Sequence, residues 1–102
     1  MLNRIKFHSV VRELREKLPP KYPVSVRLKK FPKKESHWNG AIYKENKRFH
    51  IHLNEKLHWD GAINVLLHEW AHALAWSDNN HGEKWGRAFA RCWRTIIDND
   101  EN

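Results

Sequence analysis

Ile63, Leu66, Leu67, Trp70, Ala71 and Leu74 recur three or four residues apart, the spacing that gathers apolar side chains on one face of a helix. They predict a helix over residues 60 to 76, with Asp60 as N-cap and Gly61 and Ala62 next to it. Phe7, Val10, Val11, Leu14 and Leu18 predict another. Pro19-Pro20 ends it, because proline lacks the amide hydrogen that a continuing helix needs. Trp85, Ala88, Phe89, Cys92, Trp93 and Ile96 share one face of a third helix, which starts near Gly82.

Between the first two helices the period changes from helical to alternating. Val24, Val26 and Leu28 alternate with Ser25 and Arg27 and predict a strand. The run Lys29-Lys30-Phe31-Pro32-Lys33-Lys34 reads as an exposed basic loop. A second strand is expected over residues 38 to 43 and a third over 48 to 53, with Lys44-Glu45-Asn46-Lys47 as the hairpin turn between them. Ser77-Asp78-Asn79-Asn80 breaks the chain between the second and third helices. The order is helix, three strands, helix, helix: a small α+β fold. At 102 residues it is expected to be one domain, residues 1 to 102, with no room for two cores.

Composition adds limits. The chain is 40% hydrophobic with six tryptophans, as suits a packed globule. No apolar run is long enough to span a bilayer, so no membrane partner is expected. The mixed charged and apolar N-terminus is not a secretory signal. The single cysteine, Cys92, excludes an internal disulfide and a cysteine-rich zinc ribbon. An intracellular, cytoplasmic setting is therefore expected. The net charge of +7 favours acidic partners.

The chemistry lies on the second predicted helix. His68-Glu69-Trp70-Ala71-His72 is an H-E-x-x-H motif. Helical residues four apart sit about 40° apart around the axis, so both imidazoles can reach one metal ion. Glu69, on the neighbouring edge, can reach a water beside that ion instead of the ion itself. A catalytic zinc usually takes three protein ligands. His81 lies nine residues beyond His72. A continuing helix would carry it roughly 13 Å along the axis, but the polar loop lets the chain turn back. Asp78 competes for the third position. Glu83 is less suited, being too close in sequence to His81.

His68-Glu69-x-x-His72, the polar loop, His81-Gly82-x-x-Trp85 and Phe89 together resemble the SprT-like zinc metallopeptidases, a minimal branch of the zincins. The likeness is specific from about Leu66 to Trp93 and architectural over the strands before it. It implies a three-stranded sheet packed on the motif helix. It implies zinc held by His68, His72 and His81, with Glu69 as the catalytic carboxylate and a protein or peptide as substrate. Some members act on proteins bound or crosslinked to DNA, which implies DNA-associated proteins as one substrate class.

Several weaker signals remain. Tyr43 and His37 are candidates for stabilising an oxyanion, and ordinary surface roles are also open to them. Residues 39 to 42 are a candidate cleft edge for pairing an extended peptide. Gly40 there marks either close approach or a bulge. His50 and His52 share a strand face and could bind a second metal. Lys84, Arg87, Arg91 and Arg94 on the last helix, with Lys29, Lys30, Lys33 and Lys34, could bind nucleic-acid phosphates. Trp70, Trp85 and Trp93 are expected in the core, and Trp76 at the cleft border. Two other readings stay open: a basic nucleic-acid-binding module with a structural or vestigial zinc site, and a metal-dependent amidase acting on something other than protein.

Overall fold

The structure is a computed structural model that describes residues 4 to 35, 38 to 78 and 81 to 97. Its elements run α1 (Arg4–Lys17), β1 (Val24–Lys29), a 3-10 turn (Lys33–Glu35), β2 (Gly40–Glu45), β3 (Arg48–Asn54), α2 (Trp59–Leu74) and α3 (Glu83–Ile96). This is the α+β order expected from the periodicity. Among the described residues no helix is long and apolar enough to cross a membrane.

The sheet is mixed, with strand order β1-β3-β2. β3 lies in the middle, antiparallel to β2 and parallel to β1. Burial, not the apolar pattern, sets the central strand apart. Phe49, Ile51 and Leu53 are all buried, whereas on β1 only Val24 is, and Leu28 is largely exposed. The residue types alone make β1 look equally apolar. β2 is left at the sheet edge.

The β2–β3 hairpin closes through Asn46 and Lys47, with φ of 54° and 58°. Two consecutive left-handed residues give the turn whose twist matches the flanking strands. Asparagine tolerates that region, but lysine is strained there. Lys47→Gly is expected to raise stability by about 1 kcal/mol, read as a higher urea midpoint at unchanged slope.

One face of the sheet is covered by helix. The buried residues of β3 join Phe7, Val10, Val11 and Leu14 of α1 and Ala62, Ile63, Leu66, Leu67 and Trp70 of α2 in a single core, closed by Cys92 and Ile96 of α3. Trp70 is fully buried, and its indole Nε1 donates to Leu18 O at 2.9 Å. That bond ties the end of α1 to the middle of α2 and satisfies the one polar atom of a large core side chain.

Both ends of α2 depart from the sequence expectation. The helix starts at Trp59 with His58 as N-cap, which makes no side-chain cap bond. Asp60 is in the first turn, where a negative charge suits the helix dipole, and is not the cap. At the other end α2 stops at Leu74, with Ala75 as C-cap, not at Trp76. Trp76 tilts against Phe49 at 5.1 Å. It does not line the cleft described below.

Candidate functional site

Buried residues occupy most of the circumference of α2, among them Leu66, Leu67, Glu69, Trp70, Ala71 and Ala73. His68 and His72 lie on the stripe that stays half-open. The chain leaves α2, turns through Asp78, and presents His81 immediately before Gly82, the N-cap of α3. His81 has φ of 57°. A non-glycine residue in the left-handed region costs of order 1–3 kcal/mol and persists only where its surroundings hold it.

Asp78 supplies much of that hold. Gly82 N and Trp85 N donate to its two carboxylate oxygens, each at 3.1 Å. These bonds satisfy two amides at the start of α3 that lack helical partners. The same arrangement explains Gly82. A Cβ there would sit 2.7 Å from both Asp78 oxygens. Gly82→Ala is therefore expected to dislodge Asp78, lower stability by about 1–2 kcal/mol, as loss of a helix cap does, and weaken metal binding in the same protein. Thermal melts with and without zinc would show both effects.

The three imidazoles converge. His72 Nε2 is 3.0 Å from His81 Nε2, which is 3.1 Å from His68 Nε2. His68, His72 and His81 form the one group among the described residues that could hold a metal ion through three such side chains. Nitrogens bound tetrahedrally to zinc at 2.0–2.1 Å lie about 3.3 Å apart, so the two spacings to His81 are within a few tenths of an ångström of a ligand set, and the three ligand atoms all lie within 4.8 Å of one another. Three nitrogen donors suit zinc and disfavour the oxygen-seeking calcium and magnesium. Burial lowers the pKa of both helical imidazoles, that of His72 to about 4, and the neighbouring rings add to the effect. Both are thus neutral at pH 7, the form that can ligate. Trp85 walls the group: its ring packs against all three imidazoles, and its Nε1 donates to His68 O at 3.2 Å.

Glu69 stands beside this group and outside it. Its Oε1 is 3.7 Å from His68 Nε2, and the residue is 6% exposed. Burial raises its carboxyl pKa to about 7 in the metal-free site. A carboxyl so placed can take up and return a proton near neutral pH.

A cleft of about 670 Å³ opens in front of His68 and Glu69. Residues 38 to 41 form one wall, Asn64 and Val65 of α2 another, and Phe89 of α3 also lines it. Asn54 fixes the first wall: its Nδ2 donates to Trp38 O at 2.9 Å, and its Oδ1 accepts from Lys56 N. Sequence reading missed Trp38, Asn64, Val65 and Phe89 as cleft residues. Asn64 and Val65 lie one turn before His68 and Glu69, so helical spacing could have found them. Trp38 and Phe89 come from other elements and carry no such signal.

Other candidates fall elsewhere. Asp78, the rival third ligand, is committed to the start of α3. Tyr43 lies on the far face of the sheet, stacked on His50 at 4.8 Å and edge-on to His52 at 5.3 Å, and is not part of the cleft wall. His37 is outside the described residues. His50 and His52 share that far face, but they are not in a three-ligand group among the described residues. Trp93 is 38% exposed and Trp85 half-buried, against the expectation of core positions. Ala88, Cys92 and Ile96 are the buried stripe of α3, and Trp85, Phe89 and Trp93 form an adjacent aromatic row. Lys84, Arg87, Arg91 and Arg94 are exposed, with Arg87 paired to Glu83. Lys29, Lys30, Lys33 and Lys34 are exposed as well.

No curated protein and no solved structure matches the chain. The family model described as SprT-like family matches residues 5 to 100. With that match spanning almost the whole chain, and with His68, His72 and His81 converging beside Glu69, the protein belongs to the SprT-like family.

Proposed function

We propose that the protein is a zinc-dependent metallopeptidase, with His68, His72 and His81 holding the metal and Glu69 as general base. The observation that carries this reading is the meeting of three imidazoles and a buried carboxyl at the mouth of a cleft. Zinc, when bound, supplies a Lewis acid that polarises a carbonyl and acidifies water. Glu69 takes the proton of the attacking water on its carboxylate and returns it to the leaving amine nitrogen. Trp85 and Asp78 keep His81 in place while this happens.

Residues 39 to 42 favour a peptide as substrate over another amide. β2 is an edge strand of the sheet, and its first residues form a wall of the same cleft. An extended peptide can pair with such an edge through main-chain hydrogen bonds. Gly40 serves close approach and not a bulge. It pairs regularly with Leu53, without a bulge, and its lack of a side chain makes room for Val65. A narrower substrate class, proteins associated with DNA, draws support from the exposed cations on α3 and before β2.

The test is hydrolysis of an unstructured protein by chelated and zinc-reloaded samples. Chelation is expected to abolish cleavage and stoichiometric zinc to restore it. A protein that binds zinc tightly at these residues yet cleaves no peptide would point to the nucleic-acid module with a structural metal. In that case, affinity for DNA should fall steeply with salt.

A further inference from the structure

Two hollows flank the free edge of β2, one on each face of the sheet, and they differ in chemistry. The inner one is the cleft. Away from the imidazoles its wall includes Trp38, Gly40, Val65 and Phe89, none of them charged. A Cβ on Gly40 would lie 2.6 Å from Val65 Cγ1, so Val65 packs directly against the start of β2 and closes the cleft between strand and helix. The outer hollow, about 130 Å³, is bordered by Lys29, Lys30, Phe31, Pro32 and His52 and, among the described residues, by no acidic one. Trp38 and Ala41 border both hollows.

A strand sends successive side chains to opposite faces. On β2, Gly40 and Ile42 pair with the buried Leu53 and Ile51, while Ala41 pairs with His52 on the outer face. A segment added to this edge would place one residue in the apolar cleft. Its neighbour would pass over Ala41 toward Lys29 and Lys30. We infer that the substrate is an extended segment in which a bulky apolar residue, aromatic or leucine-like, is adjacent to an acidic one. The inference rests on the peptidase reading and adds the substrate class to it. The two halves differ in strength. A roomy apolar cleft discriminates by about tenfold or more between a large side chain and alanine. Exposed lysines contribute a few-fold at most, and that part weakens as salt rises.

The test is a set of quenched peptides of one parent sequence. Phe, Leu, Ala or Lys is placed on either side of the scissile bond, with Asp or Lys as the neighbour. Two quantities are read: kcat/KM with zinc-loaded protein, and peptide affinity of zinc-loaded Glu69→Gln by fluorescence anisotropy. Phe and Leu are expected to exceed Ala and Lys by about tenfold or more in one of the two positions. Asp should exceed Lys by about two- to fivefold at low salt. Phe89→Ala should shrink the Phe-to-Ala ratio. Lys29→Glu/Lys30→Glu, at two exposed positions, should invert the Asp preference and leave the Phe-to-Ala ratio alone.

Cleavage without any order among the peptides would overturn the inference and leave the peptidase reading standing. Absence of cleavage, with the order preserved in binding, would do the reverse. Charge reversal that weakened oligonucleotide binding and left the Asp preference intact would overturn the acidic half and assign the outer hollow to nucleic acid.

Discussion

Glu69→Gln is expected to lower kcat/KM for peptide hydrolysis by at least about a hundredfold, and up to ten-thousandfold, the range that general acid–base catalysis supplies, while zinc content stays at one per chain. Glutamine keeps the size and shape of the side chain and cannot cycle a proton. Because Glu69 stands outside the three converging nitrogens, the metal site should not notice the change. Cleavage rate and elemental analysis on the same preparations check both halves. Full activity in the variant would remove Glu69 from the reaction. Loss of zinc would make it a ligand.

The same substitution has a consequence in the metal-free protein. Burial raises the Glu69 carboxyl from its ordinary 4.5 to about 7. The folded state therefore holds that proton more tightly than the unfolded state does. Its stability carries no penalty from Glu69 below pH 4.5, and the penalty grows as pH rises through 7. Glutamine has no charge to bury. Metal-free Glu69→Gln should thus gain on metal-free wild type between pH 4 and pH 8, by up to about 3 kcal/mol. Comparing the two proteins at each pH cancels the other titrating groups.

His81→Ala is the second large effect. Even the outer partners of metal ligands cost 10–100-fold in affinity when removed, so loss of a ligand should cost at least about a hundredfold. Two helical histidines would remain. Asp78 is poorly placed to substitute, because both its oxygens accept amides at the start of α3. Zinc at a hundred times its dissociation constant stabilises a protein by about 2.7 kcal/mol. That zinc-dependent shift should appear in wild type and vanish in the variant. His81→Gly sharpens the test. Glycine accepts the φ of 57° without strain, so this variant should lose zinc and yet be no less stable than wild type when both are metal-free. Unchanged zinc content in His81→Ala would mean that Asp78 abandons α3 and ligates.

The local elements were legible in the sequence because each rests on a period that the residues carry themselves. Phe7 to Leu18, the strand at Val24 and the motif helix appear where periodicity put them, whereas β2 starts at Gly40 and takes in Lys44 and Glu45, which leaves only Asn46 and Lys47 for the hairpin turn. The ends of α2 were not legible. Its start lacks a capping side chain, and its stop at Leu74 uses no glycine. Sheet order was hidden as well: β1 and β3 have similar apolar patterns, and only packing against α2 decided that β3 is central. The aromatic stripe of α3 was misread because six apolar residues fit one face, and helix packing buried only the smaller three, Ala88, Cys92 and Ile96.

The sequence by itself determined the pair His68 and His72 and the place of Glu69 between them, because four residues of one helix fix their relative geometry. It also made His81 the leading third ligand, without being able to exclude Asp78. Only the tertiary structure shows that His81, and not Asp78, converges with the other two imidazoles. That convergence rests on a strained backbone at His81, on a carboxylate that accepts from the amides of Gly82 and Trp85, and on a tryptophan of α3 packed against two rings of α2 and one of the loop before α3. The cleft is likewise a tertiary product. Its walls come from the entry to β2, from α2 and from α3, and no local period links elements that meet only when the core beneath them closes.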